Sequence, residues 1–581
     1  MSSSATASVP LAQTTTQKSS DYRGLRVCCW CVAIVLGAAN AWATRFTMNP
    51  DGISYLDLGD AWWRGDWHNA INAYWSPLYP WLLGLFLRVL KPGTYWEFQT
   101  AHLVNLLNYM FALACFEFFL RAFMHSHKTR LDVSNRGEDV VLPRWGWLLL
   151  GYSLFISISL QLISVRLITP DMAVAAFVFL GVGLLLKIRS GQATRTNFVL
   201  LGLVLGLAYL AKAAMFPLAF LFLAIALFDV IHLRRERGAF ALGLVIFLGV
   251  AGSYATVLSI VQGHPTFGET GKLAYGTYVN GFDQFAPISP ELKHGVREIF
   301  KVPLFVEFSK PIKGTYPLWY DPTYWHDGLK PHFDFGGQLK TILKAIWQYV
   351  VLLCSPSLQL CFTVGLAVLY LLGPSPGHAL RRATAANWPC ILLGISALSL
   401  YALVYTEYRY IGAFLVLLWM AAFSGVCLSP RPGMRLTLYI TVVLMTVSSI
   451  ALTASFVASG KLFGASDAEA QTRSLNYSGA VNSLHQLGYG PGDKLATIST
   501  EPFGEGGAFV ARLARMQIVA QSREPEKVSS IGDPIKVQTA LVIAGARAVL
   551  IAGVPPKTQR LNWHQLLPED YYVCDLTMNC F

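Results

Sequence analysis

Four ionisable side chains stand in short polar breaks between long apolar runs. They are Asp51 in Asn49-Pro50-Asp51-Gly52, Asp171 in RLITPDM (166–172), Lys212 in YLAKAAMFP (209–217) and Arg409 in TEYRYIG (406–412). A carboxylate within hydrogen-bond reach of a hydroxyl can take its proton. Lys or Arg placed nearby can stabilise charge developing on a departing phosphate. Together these residue types suit sugar transfer from a lipid phosphate to a hydroxyl. A charge at the centre of a membrane helix costs roughly 2.5–3.5 kcal/mol, and less at its edge. For any one of them, snorkelling to the interface is a sufficient account. Several on one face point to a shared polar cavity. Asp51 also opens a segment, residues 48–84, with four aspartates and eight Trp or Tyr residues.

The elements that position these residues are apolar. The chain has 581 residues, 54% hydrophobic and 13% charged, with a mean hydropathy of +0.45. Soluble domains carry about 25% charged residues. Eleven apolar runs approach the ~20 residues that cross a bilayer: 26–46, 98–123, 145–165, 172–187, 197–211, 213–233, 239–261, 355–373, 389–406, 410–428 and 436–458. Two shorter stretches, 76–90 and 341–354, read as helices lying at the interface and bring the maximum to thirteen. The net charge of +12 is spread over short loops, which fits topology rather than a nucleic-acid surface. With the N-terminus inside, Lys18, Arg23, Lys128, Arg130, Arg136, Arg234 and Arg381 are cytosolic, and the short loops on the opposite side hold almost no Lys or Arg.

That parity gives the outer face three large pieces: the aromatic segment, a loop of roughly 262–340, and a tail from about 461. Residues 1–25 form a Ser/Thr-rich cytosolic terminus that reads as disordered. In the tail, LATIST (495–500), MQIVAQ (516–521) and ARAVLIAG (546–553) read as strands, alternating with helical patterns at 476–487, 505–515 and 533–545. That is a small α/β domain. Cys574 and Cys580 lie there on the oxidising side and can pair. The expected fold class is therefore mainly α, a polytopic helix bundle with interfacial helices in the first outer loop and a soluble α/β tail. No Gly-rich phosphate loop or HExxH occurs, which argues against soluble-ATP or zincin chemistry. No spacing joins His68, His102, His264 and His326 into a metal set.

The chain resembles the GT-C class of integral-membrane glycosyltransferases, close to bacterial relatives of protein O-mannosyltransferases and the lipid A aminoarabinose transferase. The resemblance rests on NPDGISYLDLGDAWWRGDW after the first run, TPDM, the lone lysine of YLAK and EYRY, and spans about 26–460. It implies that Asp51 is the catalytic base and Asp171 the second acidic residue. Lys212, Arg409 and Tyr410 would face the donor phosphate, with Arg166 a further candidate. Many members carry an acidic residue directly after the catalytic aspartate. Here Gly52 stands there, which leaves the acidic partner and a divalent metal open. Asn-Pro-Asp-Gly is also plain turn composition. Asp57, three residues after Ser54, reads as a helix-capping residue. Trp62, Trp63, Trp67, Trp75 and Trp81 read as an interfacial belt before sugar platforms.

The implied activity is an inverting transfer of a hexose or pentose from a polyprenyl monophosphate to a glycan, lipid or protein acceptor. The 262–340 loop, with YPLWYDPTYWHDG (316–328), would cover the site. The resemblance suggests a bacterial inner membrane with the site facing the periplasm. By topology alone the tail suits an ER lumen equally, where Asn476-Tyr477-Ser478 would be a glycosylation sequon. A transporter or lipid flippase is the competing class, though no internal repeat supports it. A non-catalytic protein on the same fold is the third reading.

Overall fold

The computed structural model describes residues 22–133, 140–232, 236–284, 291–308, 310–459, 467–499, 505–552, 562–566 and 571–581. Most of the expected N-terminal segment, Arg136, Arg234, Arg235 and the start of the tail at 461–466 lie outside them. Each of the eleven apolar runs contains a helix. Among the described residues seven helices are long and apolar enough to cross a membrane: Arg23–Ala43, Thr94–Ser126, Arg144–Ile163, Asp171–Arg189, Met215–His232, Arg237–Gln262 and Met434–Ala458. A pair bent by 91°, Ala379–Ala385 with Asn387–Ala402, makes an eighth if counted as one span. This is a multi-pass membrane protein. The remaining three runs fold as helices of 17, 12 and 16 residues, Arg195–Ala211, Leu360–Leu371 and Tyr408–Phe423.

Two of these short helices carry site residues. At 1.5 Å per residue, 16 or 17 residues reach only ~25 Å of the ~30 Å hydrocarbon core. Lys212 directly follows Ala211 in an extended conformation, and Arg409 is the second residue of Tyr408–Phe423. Their charges therefore sit at helix ends that stop short of a full crossing. Ring packing among Phe116, Phe119, Phe155 and Phe179 fills the bundle beside the Asp171–Arg189 helix.

The segment after the first apolar run is helical. Pro50–Arg64 begins with proline in its first turn, where the missing N–H costs nothing, and ends at Gly65 in the left-handed region. Asn49-Pro50-Asp51-Gly52 is thus a helix start rather than an isolated turn. The stretch read as 76–90 forms Leu78–Leu90, which packs against Pro50–Arg64.

The tail alternates as expected. Its strands Lys494–Ile498, Gln517–Ser522 and Ala548–Ala552 are parallel neighbours, with helices Asp467–Gln486, Glu505–Leu513 and Pro534–Ile543 between and beside them. The sheet has seven strands, and its first two come from the 262–340 loop. In chain order they are β1 (Arg297–Lys301), β2 (Leu304–Glu307), β3 (Lys494–Ile498), β4 (Gln517–Ser522), β5 (Ala548–Ala552), β6 (His564–Leu566) and β7 (Tyr571–Asp575). The spatial order is β1-β2-β4-β3-β5-β7-β6. A hairpin from between membrane helices thus extends the tail's sheet, with β2 antiparallel to β4. Short, half-exposed hairpin strands give little sequence signal alone. Cys574 and Cys580 are joined by a disulfide. One apolar core runs through all three pieces, from Ile53 and Leu56 through Tyr316 and Trp319 to Phe509 and Ile518.

Candidate active site

Asp51, Asp171, Lys212, Arg409 and Tyr410 line one cavity of about 700 Å³, although more than 350 residues separate the first from the last. Each reaches it from the end of a helix or the link between two. Asp51 is in the first turn of Pro50–Arg64, and Asp171 opens Asp171–Arg189, where the N-terminal dipole favours an anion. Asn49 holds these two starts together, its Oδ1 accepting from the Ile168 N–H at 2.8 Å.

Lys212 Nζ donates to Asp171 Oδ1 at 2.6 Å and lies 3.3 Å from the centre of the Tyr410 ring. Arg409 bridges the two carboxylates. Its Nη2 is 3.5 Å from Asp51 Oδ2, and its Nε is 3.6 Å from Asp171 Oδ2. Nη2 also lies 3.4 Å from the Tyr410 hydroxyl, while Nε makes no hydrogen bond. A guanidinium has five N–H donors, so this arrangement leaves several for an incoming anion.

Gly52 explains the missing acidic neighbour. A Cβ there would stand 2.4 Å from Met48 Sδ and 3.1 Å from Ile168 Cβ. A side chain at that position would have to displace the Met48 thioether and press on Ile168, and the second carboxylate comes instead from Asp171 on another helix. Both carboxylates already face cations. Among the described residues no group of three or more His, Cys, Asp or Glu is placed to hold a metal ion. Asp51 and Asp171, each already beside a cation, are the carboxylates that a divalent ion in this cavity would have to share.

Two expectations need correcting. Arg166 is not in the cavity wall described here. It is buried, its Nε donating to Asn40 at 2.9 Å and its Nη2 to the Phe456 carbonyl at 2.8 Å, with the guanidinium over the Phe456 ring. It joins the first and last membrane helices of the bundle. Asp57 is not a cap, because Ser54 lies inside the helix and donates to the Trp319 carbonyl instead. The Asp57 carboxylate accepts from the Thr315 N–H and hydroxyl, and pairs with Arg512 at 2.6 Å. The five tryptophans divide as well. Trp75 is buried in the cavity wall, whereas Trp67 and Trp81 are exposed on the flank.

No family model and no curated protein matches the chain. Solved structures do. The chain is similar to ArnT from Cupriavidus metallidurans in the apo state, with 14% identity over 95% of this chain and 98% of that one, at a TM-score of 0.38. It is similar to the same protein bound to undecaprenyl phosphate, with 13% identity, the same coverage and a TM-score of 0.40. A third is the Archaeoglobus fulgidus oligosaccharyltransferase in complex with Zn and sulfate, with 11% identity over 91% and 68% of the two chains and a TM-score of 0.49. At these values, which side chains react is a question for the geometry alone.

That geometry adds residues the motifs did not single out. Trp319 Nε1 donates to Asp51 Oδ1 at 3.3 Å, so the 262–340 loop touches the candidate base. Tyr55, Tyr74, Tyr278 and Tyr405 complete an aromatic wall. The one sequence signal for Trp319 is the aromatic and proline density of 316–328.

Lys212 gives the site a pH dependence. Burial pulls its ammonium down from 10.5 to about 8, against the opposing pull of Asp171. Only the protonated form attracts phosphate, and its population falls as pH rises through that value. If Lys212 holds the phosphate of a donor, the donor KM should rise from pH 7 to pH 9 while the protein stays folded. In Lys212→Arg, which keeps its charge across that range, the rise should vanish. An identical rise in both proteins would remove Lys212 as its source.

Proposed function

We propose that this protein is a GT-C-type membrane glycosyltransferase, moving a sugar from a polyprenyl monophosphate to an acceptor hydroxyl on the outer face. The observation that carries the reading is Arg409 standing between Asp51 and Asp171, with Lys212 on the far side of Asp171, all facing one cavity. A base and two cations are thereby brought to one place, as the chemistry requires.

Asp51 takes the proton of the acceptor hydroxyl. The acceptor oxygen bonds to the anomeric carbon from the side opposite the phosphate, the bond from that carbon to the phosphate oxygen breaks, and polyprenyl phosphate leaves. One displacement inverts the anomeric centre. Lys212 and Arg409 hold the phosphate, and their unused N–H groups meet the charge that grows as the sugar–oxygen bond breaks. Asp171 keeps both cations in place between turnovers. The aromatic wall offers flat apolar faces to the sugar and the first isoprene units.

The test uses the full chain, purified in detergent and given polyprenyl-phosphate-linked hexoses and pentoses with a mixture of glycan, lipid and peptide acceptors. The expected result is release of polyprenyl phosphate with one sugar configuration inverted in the product. Translocation of intact lipid in vesicles without loss of its sugar would instead support the flippase reading. A chain that neither binds nor consumes any donor would support the non-catalytic one.

A further inference from the structure

The charged junction between the first outer helix and the tail lies outside the reaction cavity. It joins three segments. Arg512, in the tail helix Glu505–Leu513, bonds Asp57 Oδ1 at 2.6 Å, Asp60 Oδ2 at 2.8 Å and Glu97 Oε1 at 2.7 Å. Arg515 adds bonds to Asp60 at 3.0 Å and Glu97 at 2.6 Å. The side chains of Arg512, Asp57 and Glu97 are 3%, 7% and 2% exposed. Burial works against the Arg512 charge, and the pull of Glu97, Asp60 and Asp57 outweighs it.

A buried ion network of this kind is a poor source of stability, because well-packed apolar residues often do as well. What it does provide is a defined geometry. Asp57 uses its carboxylate a second time, on the Thr315 N–H at 2.7 Å and hydroxyl at 3.0 Å. Gly314 makes the approach feasible: it has φ +64, and a Cβ there would meet the Tyr320 ring at 2.2 Å and Asp57 Oδ2 at 2.9 Å. The tail also grips this loop, through Ile518 N–H to the Thr315 carbonyl at 2.8 Å and Tyr316 hydroxyl to Gln521 at 2.6 Å. Four residues beyond Thr315, the Trp319 indole donates to Asp51, and its carbonyl accepts from Ser54 and Trp75. Asp51, Ser54 and Asp57 are three apart on one helix, so the loop is laid along the helix that carries the candidate base.

We infer that Arg512, Asp57, Thr315 and Trp319 form a positioning relay through which the C-terminal α/β unit sets the orientation of the Asp51 carboxylate. The inference rests on the reading of Asp51 as the base. The tail is then a working part of the transferase centre. A reacting group displaced by about 1 Å can cost up to 10²-fold in rate, so the relay acts on turnover and not on donor affinity.

The experiment compares full-length Trp319→Phe, Thr315→Val, Thr315→Ser and Arg512→Lys for kcat, donor KM and thermal midpoint, with Asp51→Asn alongside. Phenylalanine keeps the ring packing on Tyr74 and Trp75 but removes the indole N–H. Valine removes only the hydroxyl at 315, and serine restores it. The relay predicts that Trp319→Phe and Thr315→Val lower kcat by about 10- to 10²-fold with donor KM within about twofold, that Thr315→Ser recovers most of the loss, and that Arg512→Lys, lacking the forked donor, falls between. Unchanged kcat in Trp319→Phe and Thr315→Val, with Asp51→Asn inactive, would overturn the relay and leave the base in place. Full activity of Asp51→Asn would instead overturn the base. A lowered thermal midpoint with normal kcat in the folded fraction would show the junction to be structural only.

Discussion

Asp51→Asn should abolish sugar transfer while leaving the protein folded and able to bind donor. Asn has nearly the same shape as Asp, and the site can accept its amide without a change of volume. The change removes the proton acceptor, and general-base catalysis alone is worth about 10²–10⁴ in rate. Arg409 loses one partner but keeps Asp171 at 3.6 Å, so the cationic face remains for the phosphate. Donor binding can be followed by protection against thermal unfolding, and transfer by single-turnover release of labelled sugar. Transfer by Asp51→Asn at the unmodified rate would remove Asp51 from the mechanism and make Asp171 the next candidate.

The second large effect should come from Arg409→Ala, with a loss of about 10²–10³ in rate and residual turnover at saturating donor. Arg409 is the one cation of the pair that contacts both Asp51 and Asp171, so its removal leaves the phosphate charge less compensated and the base without its neighbour. Lys212→Ala should be milder and act chiefly on donor use, because Lys212 pairs with Asp171 alone among the carboxylates. Arg409→Lys should not restore the rate, since a single ammonium cannot span two carboxylates and a phosphate in the way a planar fork does. Single-turnover rates at saturating donor, with donor KM measured in parallel, separate the two cations. Equal losses from Lys212→Ala and Arg409→Ala, confined to KM, would contradict this division of roles.

Much of this was legible in the chain because membrane chemistry writes itself strongly into sequence. An ionisable residue at the end of an apolar run is costly unless it has partners, which is why Asp51, Asp171, Lys212 and Arg409 stood out individually and proved to share a cavity. Arg166 obeyed the same rule and found its partners elsewhere, at Asn40 and Phe456. The rule says that a partner exists, and is silent about which. The tail's strands were legible for a related reason: β3, β4 and β5 are buried runs bounded by turn residues.

What local pattern could not contain is pairing between distant segments. Asp57 looked like a cap because it stands three residues after Ser54. Its actual partners, Thr315 and Arg512, lie 258 and 455 residues away. The β1–β2 hairpin is short, and its place in the tail's sheet comes from pairing with β4, more than 200 residues away. Trp319 gained a role because the loop that carries it is pinned between the Pro50–Arg64 helix and the tail.

The sequence by itself thus determined the membrane class, the helix positions, the α/β order of the tail and the residue types available for transfer chemistry, since periodicity and the cost of buried charge act over one or two turns of chain. Which charges meet, how closely Met48 and Ile168 crowd position 52, and how the tail reaches the candidate base were decided only by the tertiary structure. Those facts depend on a few ångströms between segments hundreds of residues apart, and no local energy term records that distance.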